Sequence, residues 1–294
     1  PQIHTSRSFD YALATEGTRQ VLWGLFKKLA LADGIASSVD SLLSPAAGNA
    51  GPVLIVGVML YSIQIYCDFS GYTDISIGVT KLLGIRPMRN FAYPYFSQNV
   101  AEFWRRWHIS MSSWFRDYVY IPLGGSRVSR PRLFVNILIT FVLSGLWHGA
   151  GLNFLAWGAL LGLGVAFTSL RKKPVLGVLD TPGGERLTIR AFAKMIVTFA
   201  FISLSWVFFR AESVADAART IGRIFTPALQ AAQWRDALSA IADLDVLVLL
   251  LIVFVLFEWF HRRRESTLDL RVRYLPVRWL VYTCVLWLTI VMFK

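Results

Sequence analysis

Four histidines are available for proton chemistry: His4, His108, His148 and His261. His4 and His261 sit in polar flanks, the latter just before Arg262-Arg263-Arg264, and both are most simply solvated or lipid-facing. His148 differs, because it is the only strongly ionisable residue between positions 133 and 170. An ionisable group at membrane depth is costly and usually faces a cavity or a partner. Its neighbours in SGLWHGAG (144–151) include small residues that let a ligand or another backbone approach closely. A neutral imidazole there is a candidate general base. A hydrogen bond across helices is the competing reading.

The segment FWRRWHISMSSWFRDYVYIPLGG (103–125) packs Trp104, Arg105, Arg106 and Trp107 directly before His108. Guanidinium forks suit phosphate or carboxylate recognition. Indole faces can stack on an adenine or line an acyl channel. The alternative is an interfacial amphipathic helix with an aromatic belt. Asp68 and Asp74, in YCDFSGYTD (66–74), lie six residues apart and do not share a helical face, with Gly71 between them as a candidate interruption. Each could orient a histidine or form an ion pair, and the ion pair is the simpler expectation. Asp117, next to Arg116, has the same two readings. Nucleophile-elbow serines, zincin helices and phosphate-binding glycine loops are absent, and no metal site is expected. Cys67 and Cys284 have neither a zinc spacing nor a disulfide pattern, and Cys67 reads as a packed core thiol.

The elements that must position these residues are membrane helices. The 294 residues are 55% hydrophobic and only 16% charged, with a mean hydropathy of +0.51. A soluble domain carries about a quarter charged residues, so a cytosolic enzyme, a disordered chain and a disulfide scaffold are all excluded. The net charge of +12 and pI near 10.0 would suggest nucleic acid in a soluble protein. In a membrane protein they read as basic cytoplasmic loops facing anionic lipid, and no nucleic-acid partner is expected. The opening PQIHTSRSF has no apolar h-region and is not a signal peptide; the sequence predicts an N-terminally truncated fragment of a longer protein.

Residues 133–170 lack Asp, Glu, Lys and Arg. As one helix they would reach about 57 Å, nearly twice the hydrocarbon thickness. The run must therefore break, and Gly149-Ala150-Gly151 is the expected place, giving two spans or a re-entrant element. Other spans are expected near 52–67, 191–209, 246–260 and 277–293, with Lys194 and Arg278 snorkelling. Residues 17–43 are interrupted by Lys27, Lys28 and Asp33, and an interfacial or partly inserted helix is expected. PVLGVLDTPGG (174–184) reads as a flexible loop and 210–243 as a polar amphipathic segment. Loops 81–132, 171–190 and 261–278 carry net charges of +7, +3 and +4, whereas 210–245 carries −1. That alternation puts the basic loops in the cytoplasm and the 148–151 break toward the outer side.

Three long stretches in order, YCDFSGYTDISIG (66–78), FWRRWHISMSSWFRDYVYIPLGG (103–125) and SGLWHGAGLNFLAWG (144–158), closely resemble membrane-bound O-acyltransferases. The branch most similar is that of the bacterial alginate O-acetyltransferase membrane subunit, favoured by the IPLGG ending; the D-alanyl transferases of teichoic acid modification are relatives. The resemblance covers most of residues 17–170, and the C-terminal third matches only in hydropathy. It implies an all-α, polytopic transmembrane fold with re-entrant or interfacial helices around a central tunnel. It also implies one membrane-embedded domain over 1–294, with the motif-bearing catalytic core in 17–170 and C-terminal transmembrane helices in 171–294.

The same resemblance puts the family's characteristic histidine on His148 and a second functional histidine on His108. It implies transfer of an acetyl group from a cytoplasmic thioester, acetyl-CoA, to an extracellular polysaccharide such as alginate, with no bound cofactor. The donor-binding or tunnel-lining candidates are Trp104, Arg105, Arg106, Trp107, Asp117, Trp147, Asp68 and Asp74. A periplasmic acetyltransferase partner, a polysaccharide acceptor pathway and the bacterial cytoplasmic membrane complete the expectation. The rival readings are D-alanyl or other acyl transfer to teichoic acid, peptidoglycan or lipid on the same fold, an anion transporter using His148 and the arginines, and a non-catalytic scaffold.

Overall fold

A computed structural model describes residues 2, 8–170, 188–226, 231–262, 268 and 274–293, and every regular element among them is helical. The chain runs through α1 (Tyr11–Leu25), a π-helical segment (Phe26–Ala32), α2 (Asp33–Leu43) and the long α3 (Gly51–Leu82). Two short helices follow, α4 (Val100–Arg106) and α5 (Ile109–Phe115), then a π turn at Arg116–Tyr120. Next come α6 (Arg130–His148), α7 (Leu152–Ser169), α8 (Ile189–Arg210) and α9 (Val214–Phe225). The last three are α10 (Ala231–Ala242), α11 (Val246–His261) and α12 (Leu275–Met292).

Five of these, α3, α6, α7, α8 and α12, are long and apolar enough to cross a membrane. A sixth candidate is the pair Gln233–Ala242 and Val246–His261, bent by 82° at its break. The charge-free run divides where its length demands: α6 ends at His148 and α7 begins at Leu152. The expected span near 52–67 is longer than the apolar run that signals it. It continues through Gly71 to Leu82, so the expected interruption there is wrong. Gly71 serves close packing instead: a Cβ on it would stand 2.8 Å from the carbonyl oxygen of Gly24. The 174–184 loop expectation falls outside the described residues, as does His4.

The chain forms two compact units. One comprises Pro1–Leu42, Met59–Arg89 and Ala237–Lys294. The Asp10 carboxylate accepts from the Leu13 N–H at 3.0 Å and starts α1. Trp23 stacks against Phe26 and packs on Phe254 and Phe257 of α11. The lysines that interrupt the 17–43 pattern turn inward or sideways onto α3. Lys27, only 3% exposed, pairs with Asp74 at 2.6 Å and donates to Ser70 at 2.8 Å. Gln20 donates to the same Asp74 at 2.9 Å, and Lys28 pairs with Asp68 at 2.6 Å and Asp33 at 2.9 Å. Cys67 is fully buried and forms no disulfide.

The other unit comprises Leu43–Val58 and Asn90–Asp236. Its α6 and α7 form a tight antiparallel hairpin. Cβ atoms on Gly145 and Gly158 would run into the carbonyl oxygens of Phe154 and Phe141, so this approach needs glycine at both positions. Asn153, near the start of α7, donates to the carbonyl of Ala211 at 2.8 Å and so satisfies the end of α8. A small core of Leu54, Val58, Val207, Ala217 and Ile224 seats amphipathic α9, which the Ser213 hydroxyl caps.

Candidate active site

All elements that position the two candidate histidines belong to the second unit. His148 is the last residue of α6. Three aromatic rings hold its imidazole, each nearly perpendicular to it: Trp147 at 4.9 Å, Trp157 at 5.2 Å and Phe209 at 5.3 Å between ring centres. Its Nε2 is buried and has no hydrogen-bond partner among the described residues. An imidazole fixed by packing, with one nitrogen left to a ligand, is poised to accept a proton.

His108 stands between α4 and α5 with φ +44°, in the left-handed region that a non-glycine residue adopts at a cost of about 1–2 kcal/mol. The segment Asn90–Ala92 holds it there. The Ala92 N–H donates to the Arg106 carbonyl on one side and the Ile109 N–H donates to the Asn90 carbonyl on the other, both at 2.9 Å. The buried Asn90 side chain adds an acceptor for the Ser110 N–H at 3.2 Å and hydroxyl at 3.0 Å. Strain over-determined in this way is a mark of functional positions. The His108 ring lies 6.3 Å from that of Trp147. Burial, and secondarily the charge on nearby His148, pushes its pKa down from 6.5 to about 4, so the ring is neutral at physiological pH.

A cavity of about 430 Å³ opens between α4, α5, the π turn at Arg116–Tyr120, α6 and α7, and neither histidine lines it. Trp104, Arg105, Ser112, Arg116, Tyr120 and Ser144 contribute to its wall. Trp104 is 6% exposed and meets Phe141 edge-on at 5.5 Å and Trp157 at 5.7 Å. A continuous run of ring contacts therefore leads from the cavity wall to His148.

The sequence candidates divide. Trp104 and Arg105 line the cavity, and Trp147 packs on the rings of both His108 and His148, which lie outside its wall. Trp107 is instead a core residue, stacked on Phe103 at 5.5 Å and packed on Trp206 at 5.0 Å. Arg106 turns back to pair with Glu102 at 2.6 Å. Asp117 is exposed and held by Arg116 at 2.8 Å, which lowers its pKa. Asp68 and Asp74 belong to the first unit and make the lysine pairs described above. Sequence reasoning missed Trp157, Phe209 and Asn90. Trp157 had a signal, since it lies in the third motif nine residues after His148, and a helical hairpin brings such positions together. Asn90 had none beyond its residue type.

The family model for membrane-bound O-acyltransferases matches residues 14–173, more than half of the chain. A Pseudomonas fluorescens protein named "Probable alginate O-acetylase AlgI" is 39% identical over 228 residues, covering 76% of this chain and 42% of that protein. A Helicobacter pylori peptidoglycan O-acetyltransferase is 36% identical, covering 67% of this chain and 36% of the relative. A Streptococcus thermophilus teichoic acid D-alanyltransferase is 29% identical, covering 66% and 51%. The chain thus spans about half or less of the length of these relatives. With this match, and with both histidines inside the matched residues, the chain belongs to the membrane-bound O-acyltransferase family.

Proposed function

We propose that this chain carries the acyl-transfer centre of a bacterial cytoplasmic-membrane enzyme that O-acetylates an extracellular polysaccharide, alginate or a similar polymer, using acetyl-CoA as donor. The observation that carries the reading is the buried, unpartnered Nε2 of His148, held by three rings at the end of α6. His148 takes the proton of an acceptor hydroxyl while that oxygen attacks the thioester carbonyl. The tetrahedral intermediate then expels the thiolate, which recovers the proton. His108, neutral and fixed by the Asn90–Ala92 clamp, orients the acceptor or relays its proton. The mostly apolar cavity receives the donor arm, and Arg105 on its wall attracts the donor's phosphates.

Relatives named as alginate O-acetylases and a peptidoglycan O-acetyltransferase support a polysaccharide acceptor and an acetyl group over D-alanine. In this reading residues 17–170 form the catalytic core, and a periplasmic acetyltransferase partner completes delivery to the polymer. The test supplies labelled acetyl-CoA to membranes containing the native protein, His148→Ala or His148→Gln at matched folded abundance. Loss of label transfer by about a hundredfold or more with intact folding is the expected result. Unchanged transfer would remove His148 from the chemistry.

A further inference from the structure

Trp104, Trp157 and Trp206 belong to one aromatic cluster, yet their indole N–H groups fare differently. Trp206 donates to the Tyr95 hydroxyl at 3.2 Å. The indole nitrogens of Trp104 and Trp157 are buried with no hydrogen-bond partner among the described residues. Trp157 is 1% exposed and Trp104 6% exposed. A buried donor without an acceptor is costly, and buried tryptophans usually find one. Phenylalanine would supply an aromatic ring without that cost. The two orphan donors are also not scattered. Trp157 touches the His148 ring, Trp104 touches Trp157 and lines the cavity, and the neighbouring Arg105 Nε on the same wall is likewise buried and unpartnered.

An indole N–H can donate and cannot accept. The ligand atoms that meet these groups are therefore acceptors. An acyl thioester on an amide-bearing arm presents such atoms in a row: the thioester carbonyl, then the amide carbonyls. We propose that the Trp157 indole N–H donates to the carbonyl oxygen of the acyl donor beside His148, and that Trp104 donates to a carbonyl of the donor's arm. This assignment rests on the acyl-transfer reading above and adds a further catalytic residue to it. As the acceptor oxygen bonds to the acyl carbon, the carbonyl π pair moves onto oxygen and the acceptor's proton passes to His148. The Trp157 N–H holds the resulting oxyanion until the pair returns, the carbon–sulfur bond breaks and the thiolate leaves with the proton.

The test replaces Trp157 with 3-benzothienylalanine, which keeps the bicyclic shape and puts sulfur where the N–H was. Two readouts are taken at matched thermal stability in membranes containing the protein. The first is kcat for acetyl transfer from acetyl-CoA, expected to fall by about a hundredfold with KM nearly unchanged. The second needs no turnover. The carbonyl infrared band of a ¹³C-labelled acetyl-CoA analogue, with CH₂ replacing the thioester sulfur, is expected to shift to lower wavenumber on binding the native protein. That shift should vanish in the variant. The same replacement at Trp104 is expected to raise KM by about tenfold while leaving the band shift intact, as loss of binding shared by ground and transition states requires. A native kcat or an unaltered band shift at position 157, or an unaltered KM at position 104, overturns the assignment. Failure of the acyl-transfer reading itself shows separately, as absent label transfer by the unaltered protein.

Discussion

Two buried polar clusters in this molecule obey opposite rules. Around Lys27 each group meets a protein partner: the ammonium pairs with Asp74 and donates to Ser70, and Gln20 donates to the same carboxylate. Nearby, Tyr66 donates to the buried Glu258 at 2.7 Å. Around His148 the polar atoms are buried and left over: its own Nε2 and the indole nitrogens of Trp104 and Trp157. The first cluster is closed by the fold. The second is left open by the described residues, and in the proposed function a ligand closes it. Burial of polar groups alone therefore does not mark a site, and single atoms unpartnered among the described residues also occur elsewhere, at Gln64, Asn136, Arg223 and Arg278; what sets this cluster apart is that several gather on one ionisable ring.

The largest effect should come from opening the closed cluster. Lys27→Met leaves the Asp74 carboxylate largely buried without its cation, and breaking a buried pair in this way costs about 3–5 kcal/mol. Thermal unfolding in detergent should show a large loss of stability, and Lys27→Met with Asp74→Leu should recover much of it. A Lys27→Met protein as stable as the native one would dissolve the contrast between the clusters. A smaller effect follows from His108. Its folded pKa near 4 lies below the ordinary 6.5, so the unfolded chain binds more protons between those values. Stability from this ring is complete above about pH 6.5 and declines as pH falls toward 4. Melting temperatures measured across that window should fall less steeply in His108→Gln. The smallest effect belongs to Asp117, whose exposed pair with Arg116 is screened by water. Asp117→Asn should leave the melting temperature unchanged, and a clear drop would place it in a cluster of its own.

What the residues announce beforehand tracks how local the physics is. The hairpin of α6 and α7 was legible because a 38-residue charge-free run is too long for one span and offers a glycine pair, Gly149 and Gly151, near its middle at which to break. The continuous α3 was less so. Gly71 looks the same in sequence whether it ends a helix or admits a neighbouring backbone, and only the position of Gly24 decides. Lys27 reads as an interruption of an apolar face until Asp74, 47 positions away, is placed against it. At the site, His148 stands out by its lone ionisable character. The left-handed backbone of His108 does not show in the sequence, because the clamp that fixes it starts at Asn90, outside any motif. The cavity wall draws on residues from Ala101 to Ser169, and no periodicity reports such an assembly.

The glycine seam between α6 and α7 has a kinetic consequence. At Gly145 and Gly158 the two helices are in backbone contact, and their amides there should exchange as one cooperative unit. His148, at the end of α6, then sits on the slow side of the candidate site. The seven-residue helices α4 and α5 that form the other wall have no such seam, and their amides should exchange faster than those of α6 and α7.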